Sequence, residues 1–574
     1  MERAKPPPQT TQAPNSFTTD PFAQSILKRI APALLEARAA ELASFGAFCG
    51  GELDAQAAYS DRIHPPVWKA VPVDPAHPGT RRGAIFLNPR YDTCHQEVYA
   101  RGFIAAGFGE APTQLYAPLA QYLISQADIS IGCPFAMTHP VALIVSRYAP
   151  EKVREKFLPE LIRTDRQTKS GGTWATEKHS GSDVGQTETR AVPQGDGTAK
   201  LYGQKWFTSN AGSGLALATA RPEGAERGAA EGAKGLGLYL VPSHVDADWQ
   251  TPNAYEITHL KEKIGTRGLA TGEAKLDGAH AFEIAPPPDG LRVMMEALAC
   301  SRVHNAMAAA GVMRRALVEA FGWIATRETF GKPLIERPLI RQRVAEIAVA
   351  WMAGSLLAFE AARSFDIAWA SEAPAARLWA RIATALAKYK TAEQAVWCAQ
   401  KALGLVGGNG YTEDYPTARL YRDSVVLTVW EGPEQIQALE LLRLIAGKVP
   451  GSAVFIAKLD EIHGKLPEET MRREREQLQF LRQGMHEALS QLEAADDAAK
   501  EASAGSFLHK MADTLSYALL CEHAAWELKT SGETALLPVC EAFYTGTFTP
   551  KVFPAASADP LVENLDAILS TAFA

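Results

Sequence analysis

Three segments far apart in the chain gather residue types that could bind a planar or phosphorylated ligand and move a proton. The first runs from Thr173 to Asp183 and reads TWATEKHSGSD. Its hydroxyls and loop N–H groups suit a polar heteroaromatic ring or a phosphate, and Trp174 could stack on a planar face. The same residues also read as a Ser/Gly turn beside a half-buried Trp. Lys205 to Asn210, KWFTSN, repeats the aromatic-plus-hydroxyl mixture, and alone it reads as a plain edge or core strand. The second segment is Arg327 to Gly331, RETFG. A cationic Arg and a hydroxyl at a helix end could hold a pyrophosphate, or the segment is a helix C-cap with Gly331 in the left-handed position. The third is Gly407 to Tyr411, GGNGY, followed by Trp430, Glu431 and Gly432. Its glycines allow close backbone approach to a bulky ligand, but they do not form the G-x-G-x-x-G of a dinucleotide fingerprint. Glu431 precedes a glycine at the mouth of a helix. There an apolar neighbour such as Trp430 can raise its pKa toward that of a useful base, or the carboxylate simply complements a helix dipole.

The elements that must carry these segments follow from the surrounding pattern. Residues 22–170 read as helical, with Ile26, Ile30, Leu34 and Leu35 at helical spacing. From 171 to 285 come short runs bounded by Gly, Pro, Asn and Asp, which read as strands of an antiparallel sheet with 223–234 as a surface loop. Long Ala-rich helical patterns occupy 286–446, and 447–574 is a further helical extension. Residues 1–21, rich in Pro, Gln and Thr, read as a flexible leader. The expected fold is α+β but mostly α: an N-terminal helical domain, a middle antiparallel β domain, a C-terminal helical bundle and an extra helical domain.

Composition narrows the function classes. The chain has 574 residues, 47% apolar and 21% charged, with a formal net charge of −7. That is an ordinary globular composition with material for about three to four domains, and a poor match to a generally nucleic-acid-coated protein. No uninterrupted apolar run reaches the roughly 18 residues of a membrane span. The seven cysteines are scattered and never spaced C-x-x-C, which points to reduced thiols in the cytoplasm. No HExxH, GxSxG or Walker loop is present, so no metal site is expected and simple hydrolase or nucleoside-triphosphatase readings lack support.

Taken jointly, in this order and spacing, the segments resemble the acyl-CoA dehydrogenase flavoprotein family over roughly residues 110–446. The resemblance rests on Thr176-Glu177 with Gly181, Ser182 and Asp183; on Lys205 to Asn210; and on Lys263, Gly265 and Arg267. It continues through Arg327, Thr329, Phe330 and Gly331, then Gly407 to Gly410, then Arg422-Asp423 and Trp430 to Gly432. It implies an FAD-dependent oxidoreductase acting on CH–CH bonds. Trp174, Ala175 and Thr176 would then lie along the flavin's polar edge, and Phe207, Thr208 and Ser209 would pack on its ring. Ser182 would contact CoA or the FAD phosphates, and Trp430, Pro433 and Gln435 would stand near the flavin. Arg327, Thr329, Phe330, Gly407 and Gly408 would reach the FAD of an adjacent subunit, implying a homodimer or homotetramer. Glu431 falls on the catalytic base, which removes the α-proton of an acyl thioester while a β-hydride passes to flavin N5. Arg302 and Trp430 would touch the substrate. Some branches place the base where this chain has Ser301, which cannot serve. An electron-acceptor protein or oxygen would reoxidise the flavin.

Several departures point to a particular branch. Lys178, His179 and Ser180 stand where most dehydrogenases have Pro and small residues, Trp430 replaces a Tyr and would narrow the acyl pocket, and Pro433 replaces a hydroxyl residue. Lys178, Trp206, Phe207, Trp430 and the long helical extension look most like the AidB-type alkylation-response branch. That branch is associated with DNA binding through its C-terminal domain. From Arg443 onward, however, there are nineteen acidic and twelve basic residues, and the cluster Arg472, Arg473, Arg475 and Arg482 is interrupted by Glu474 and Glu476. Weak DNA affinity is expected, with the extension serving packing or oligomer assembly. A helix starting at Pro467 would present Met471, Leu478, Leu481, Met485, Leu489 and Leu492 on one face, most simply covered by a second subunit.

Overall fold

The computed structural model describes residues 15–72, 81–223, 232–371, 373–445, 451–549 and 560–573. Most of the expected leader and most of the 223–234 loop lie outside the described residues. The chain divides into two compact units, one formed by Glu52–Gln121 with Asp128–Ser301, the other by Met1–Gly51, Tyr122–Ala127 and Arg302–Ala574. The 22–170 stretch is therefore shared between units. It also holds a two-stranded hairpin, Val67–Pro72 against Arg81–Phe86, among its helices.

The first unit is centred on a seven-stranded sheet: β1 (Gly171–Trp174), β2 (Arg190–Pro193), β3 (Thr198–Ser209), β4 (Leu215–Pro222), β5 (Gly237–Pro242), β6 (Tyr255–Leu260) and β7 (Thr271–Ala285). Strands β4, β2, β3, β7 and β5 pair in sequence and β5 pairs back onto β4, closing a ring; β1 adds to β4 and β6 to β7. The sheet is not wholly antiparallel, because β1 and β2 both run parallel to β4. Parallel neighbours need a long crossover, and the β2–β3 hairpin together with its flanking loops supplies one between β1 and β4. Strands β4 and β5 are buried along almost their whole length, which explains their unbroken apolar sequences. Inside the sheet, Trp174 packs edge-on to Tyr255 at 5.2 Å, amid Ala218, Tyr239 and Leu276.

The second unit is helical. Helix α1 (Gly290–Thr326) begins in the first unit and continues into it, followed by α2 (Pro338–Ala370), α3 (Pro374–Val406), α4 (Pro416–Val429) and α5 (Glu434–Ile445). Pro338, Pro374 and Pro416 open their helices, where a missing N–H costs nothing and the fixed φ is already helical. The extension adds α6 (Gly451–Lys465), α7 (Arg472–Ala494), α8 (Asp497–Ser531), α9 (Leu537–Phe548) and α10 (Leu565–Phe573). It packs as part of this unit. Helix α8 lies against α2 and α5, Arg29 pairs with Glu522 at 2.6 Å, and Phe321 stacks on Phe573 at 3.8 Å.

Two expectations for the extension change. Pro467 to Met471 form a turn, and α7 begins only at Arg472, with Met471 donating its N–H to the Pro467 carbonyl. Its apolar face is covered within the chain rather than by a second subunit: Met471, Leu478, Met485, Leu489 and Leu492 are buried, while Leu481 is only partly so. The helices Ile129–Tyr148 and Pro338–Ala370 are long and apolar enough to cross a membrane by composition. Yet 94% and 89% of their apolar windows are buried inside the protein, as in core helices.

Candidate active site

In the sheet unit, the loop after β1 is fixed from below by a buried ion pair. Lys205 on β3 donates to Glu177 Oε1 at 2.7 Å and to the Thr219 carbonyl at 2.8 Å. Glu177 also accepts from the N–H of Glu188 (2.7 Å) and from the hydroxyl (2.5 Å) and N–H (3.2 Å) of Thr189. Burial raises the Glu177 pKa, but Lys205 and these donors outweigh it and hold the carboxyl below its ordinary value. Above the pair, the Trp206 N–H reaches the Thr176 carbonyl at 2.9 Å, tying the loop to β3.

The β3–β7 register slips between Lys205 and Thr208, a bulge that re-aims the strand. Phe207 is left 51% exposed with Ser209 on the same side, while Thr208 turns fully inward. Lys261 stands over the Trp206 ring at 3.3 Å, with Lys178 at 5.8 Å. Ser182, Lys178 and His179 are exposed in the loop. Lys263 anchors the loop before β7 through the Leu269 carbonyl (2.6 Å) and Thr271 Oγ1 (3.0 Å).

In the helical unit, Glu431 occupies the turn between α4 and α5, at φ +56°, and Gly432 follows at φ +98°. A left-handed Glu is uncommon and persists only where its surroundings fix it. Here they do. The Glu431 carbonyl accepts from Arg302 Nε (3.0 Å) and Gln437 Nε2 (3.1 Å), and the Gly432 carbonyl accepts from Lys388 Nζ (2.7 Å) and Gln437 Nε2 (3.2 Å). Lys388 also reaches the Thr428 carbonyl at 3.1 Å. Among the described residues no acceptor meets the Glu431 N–H. Burial pushes the Glu431 carboxyl up to about 7, while Arg302 and Lys388 pull it the other way. A carboxylate balanced near neutrality, beside a free N–H, is suited to remove a carbon-bound proton while polarising the adjacent carbonyl.

The chain is similar to known proteins over most of its length. Three family models match: the AidB adaptive-response N-terminal domain over residues 7–166, the acyl-CoA dehydrogenase middle domain over 172–279, and the acyl-CoA dehydrogenase C-terminal domain over 288–445. The chain belongs to the acyl-CoA dehydrogenase family. It is 28% identical to acyl-CoA dehydrogenase family member 11 of Caenorhabditis elegans, covering 89% of this chain and 84% of that one. It is 31% identical to the putative acyl-CoA dehydrogenase AidB of Escherichia coli K12, covering 57% and 60%. The solved structure of C. elegans ACDH-11 in complex with C11-CoA superposes with a TM-score of 0.87 at 26% identity, over 96% of this chain and 95% of that one.

Acyl-CoA dehydrogenases are FAD-dependent oxidoreductases acting on CH–CH bonds, and residues of the sheet unit fit that cofactor. Phe207 is a large aromatic left exposed at a bulge, with Ser209 on the same side and Thr176 held beside the strand by its carbonyl. This is a rigid aromatic-and-hydroxyl surface of the kind a flavin ring needs. Two assignments are corrected. The Trp174 ring is 1% exposed and faces the sheet core, so it cannot stack on the flavin, and the Thr208 side chain is buried on the opposite side from Phe207. Strand alternation sends both side chains inward.

The residues the family resemblance assigns to an adjacent subunit's FAD lie on the surface of the helical unit. Phe330 and Gly331, at φ +51° and +72°, form the two-residue turn of a short hairpin, Glu328–Thr329 against Lys332–Pro333. This replaces the expected helix C-cap, and two positive φ angles are what such a turn requires. Phe330 is 96% exposed, and Arg337 braces the turn by donating to the Thr329 and Phe330 carbonyls at 2.6 and 3.1 Å. Gly407 needs its positive φ of +74°, and Gly410 is required by packing, since a Cβ there would lie 2.4 Å from the Leu403 carbonyl. Gly408 is constrained by neither, and Gly407 and Gly408 are both exposed. No hydrogen bond joins Arg327, Thr329, Phe330, Gly407 or Gly408 to the Glu431 turn among the described residues. Trp430 and Pro433 are half-buried on that turn, Gln435 is exposed on α5, and Ser301 donates to its own helix at the Ala297 carbonyl. Lys388 from α3 and Gln437 from α5, neither singled out by the sequence, brace the turn through its carbonyls. The signal for Lys388 was present as a lysine inside the Ala- and Thr-rich run TALAKYKTA of a buried helix.

Proposed function

We propose that this protein oxidises an acyl-CoA at its α,β-carbons, with Glu431 removing the α-proton. The turn geometry carries this reading: a left-handed Glu431 held by its own carbonyl, its carboxyl pushed up to about 7 and its N–H unengaged. That N–H would donate to the thioester oxygen, making the α-proton acidic, and Arg302 and Gln437 keep it pointed there by fixing the adjacent carbonyl. The chemistry FAD supplies when bound is acceptance of the β-hydride at flavin N5. Trp430 and Arg302 would border the acyl chain, and Ser182 the CoA or phosphate end. The C11-CoA complex of the worm relative supports a chain of medium length.

An alternative is an AidB-type alkylation-damage response, in which the flavin detoxifies alkylating agents or the extension binds DNA. The match to the AidB N-terminal domain supports that branch. We further propose a homodimer or homotetramer, resting on the exposed Phe330 hairpin and Gly407–Gly408 turn, and an electron-acceptor protein or oxygen as oxidant. The seven buried cysteines form no disulfide among the described residues, which supports a reducing, cytoplasmic setting. The test is anaerobic mixing of the yellow protein with acyl-CoAs from four to sixteen carbons. Bleaching of the flavin absorbance by a medium chain is the expected result. No bleaching by any member, with consumption of an alkylating agent instead, would favour the alternative.

A further inference from the structure

Lys388 is almost completely buried in α3, 1% exposed, yet among the described residues it has no carboxylate within ion-pairing distance. A lone buried ammonium costs several kcal/mol. Its hydrogen bonds explain where that cost goes: it bridges the Thr428 carbonyl at the end of α4 and the Gly432 carbonyl just after Glu431, closing the base-bearing turn from both sides. We propose that Lys388 is a positioning residue of the catalytic turn, helping to fix the left-handed Glu431 and adding to Arg302 a second positive charge that keeps its carboxylate available as a base near neutral pH. This rests on Glu431 being the base.

Electrostatic interactions in the turn support the assignment. Glu431 is the main charge opposing the burial that pulls the Lys388 ammonium down to about 8, and Lys388 acts in return on Glu431. The other charged groups acting on these residues are Arg302 from α1, Arg381 and Glu393 from α3 and Glu440 from α5, and the nearby Glu434 of α5 is matched by His509 of α8. Of these, Arg381 is paired with Glu440 at 2.6 Å and His509 with Glu434 at 3.2 Å. Arg302 is the larger of the two cationic influences on Glu431, and its Nε also holds the Glu431 carbonyl; Lys388 adds to it from the opposite side of the turn.

The test separates charge from packing by isolating proton removal from turnover. A 3-thia-acyl-CoA has sulfur at the β-position, so it can lose its α-proton but has no β-hydride to give. The long-wavelength absorbance of its enolate against oxidised flavin is titrated with pH in the FAD-loaded protein. Lys388→Gln keeps a donor for the two carbonyls without the charge, Lys388→Met removes both, and Lys388→Arg retains the charge. The proposal predicts that the midpoint rises by at least about one pH unit, a tenfold effect, in the Gln and Met variants and returns toward wild type in Arg. Loss of amplitude with an unmoved midpoint would reduce Lys388 to packing and overturn the proposal, as would equal midpoints in all four proteins. If Glu431→Gln still forms the band with the wild-type midpoint, the base assignment itself fails, and the role of Lys388 with it. Thermal melts of each variant identify any that do not fold, and either uncharged variant suffices.

Discussion

Glu431 carries a stability cost that follows from its role. Burial raises its folded pKa from 4.5 to about 7, so between those values the folded protein holds a proton that the unfolded chain has already lost. Stability contributed by this group is therefore lost as pH rises from about 4.5 to about 7, and the full cost is present above that. Gln at this position does not ionise. Glu431→Gln is expected to gain stability relative to wild type between pH 5 and pH 8, on the order of 1–3 kcal/mol in urea melts. A constant difference across that range would mean the carboxyl titrates at an ordinary value. At this scale the sequence displayed residue types but not their direction. Glu431, Phe207 and Ser209 could be picked out by type and spacing, whereas Trp174 and Thr208 look just as suitable until the strand pleat and the bulge turn them inward. Lys388 is missed for the opposite reason: a lysine inside a long helix reads as solvated, and only the small-residue run around it signals that packing buries it.

The elements are held by links that periodicity does not reveal. The order helices, sheet, helices was legible because apolar spacing switches from 3.6 to 2 near Gly171 and back near Gly290. The parallel pairing of β1 and β2 with β4, the hairpin at Glu328–Pro333 and the late start of α7 at Arg472 depend on partners distant in sequence. The Glu177–Lys205 pair is the clearest case. Breaking a buried pair leaves one uncompensated charge, so Lys205→Met is expected to cost about 3–5 kcal/mol in denaturant unfolding. It should also release FAD more readily, because the Thr176 loop loses its anchor, which gel filtration followed by a flavin spectrum would measure. A loss below about 1 kcal/mol would show that the loop is fixed by other means.

For the whole molecule, the main difference from the sequence reading is the extension, which packs into the helical unit instead of standing apart. Its arginines are largely engaged: Arg473 with Glu541 at 2.6 Å, Arg475 with the His463 and Leu466 carbonyls, and Arg482 with Asp460. Few phosphate contacts are left to offer, so duplex DNA binding is expected to be weaker than micromolar and to disappear between about 50 and 200 mM salt in a gel-shift series. Sub-micromolar, salt-resistant binding lost on changing Arg472, Arg473, Arg475 and Arg482 to Ala would contradict this.

The chemistry assigned to the protein rests on a single carboxylate, and anaerobic flavin bleaching by the best acyl-CoA tests it most directly. With Glu431→Gln, matched to wild type in FAD content, the rate is predicted to fall at least about 100-fold, because the base is removed while size is retained. Bleaching at the wild-type rate would contradict the assignment of Glu431 as the base.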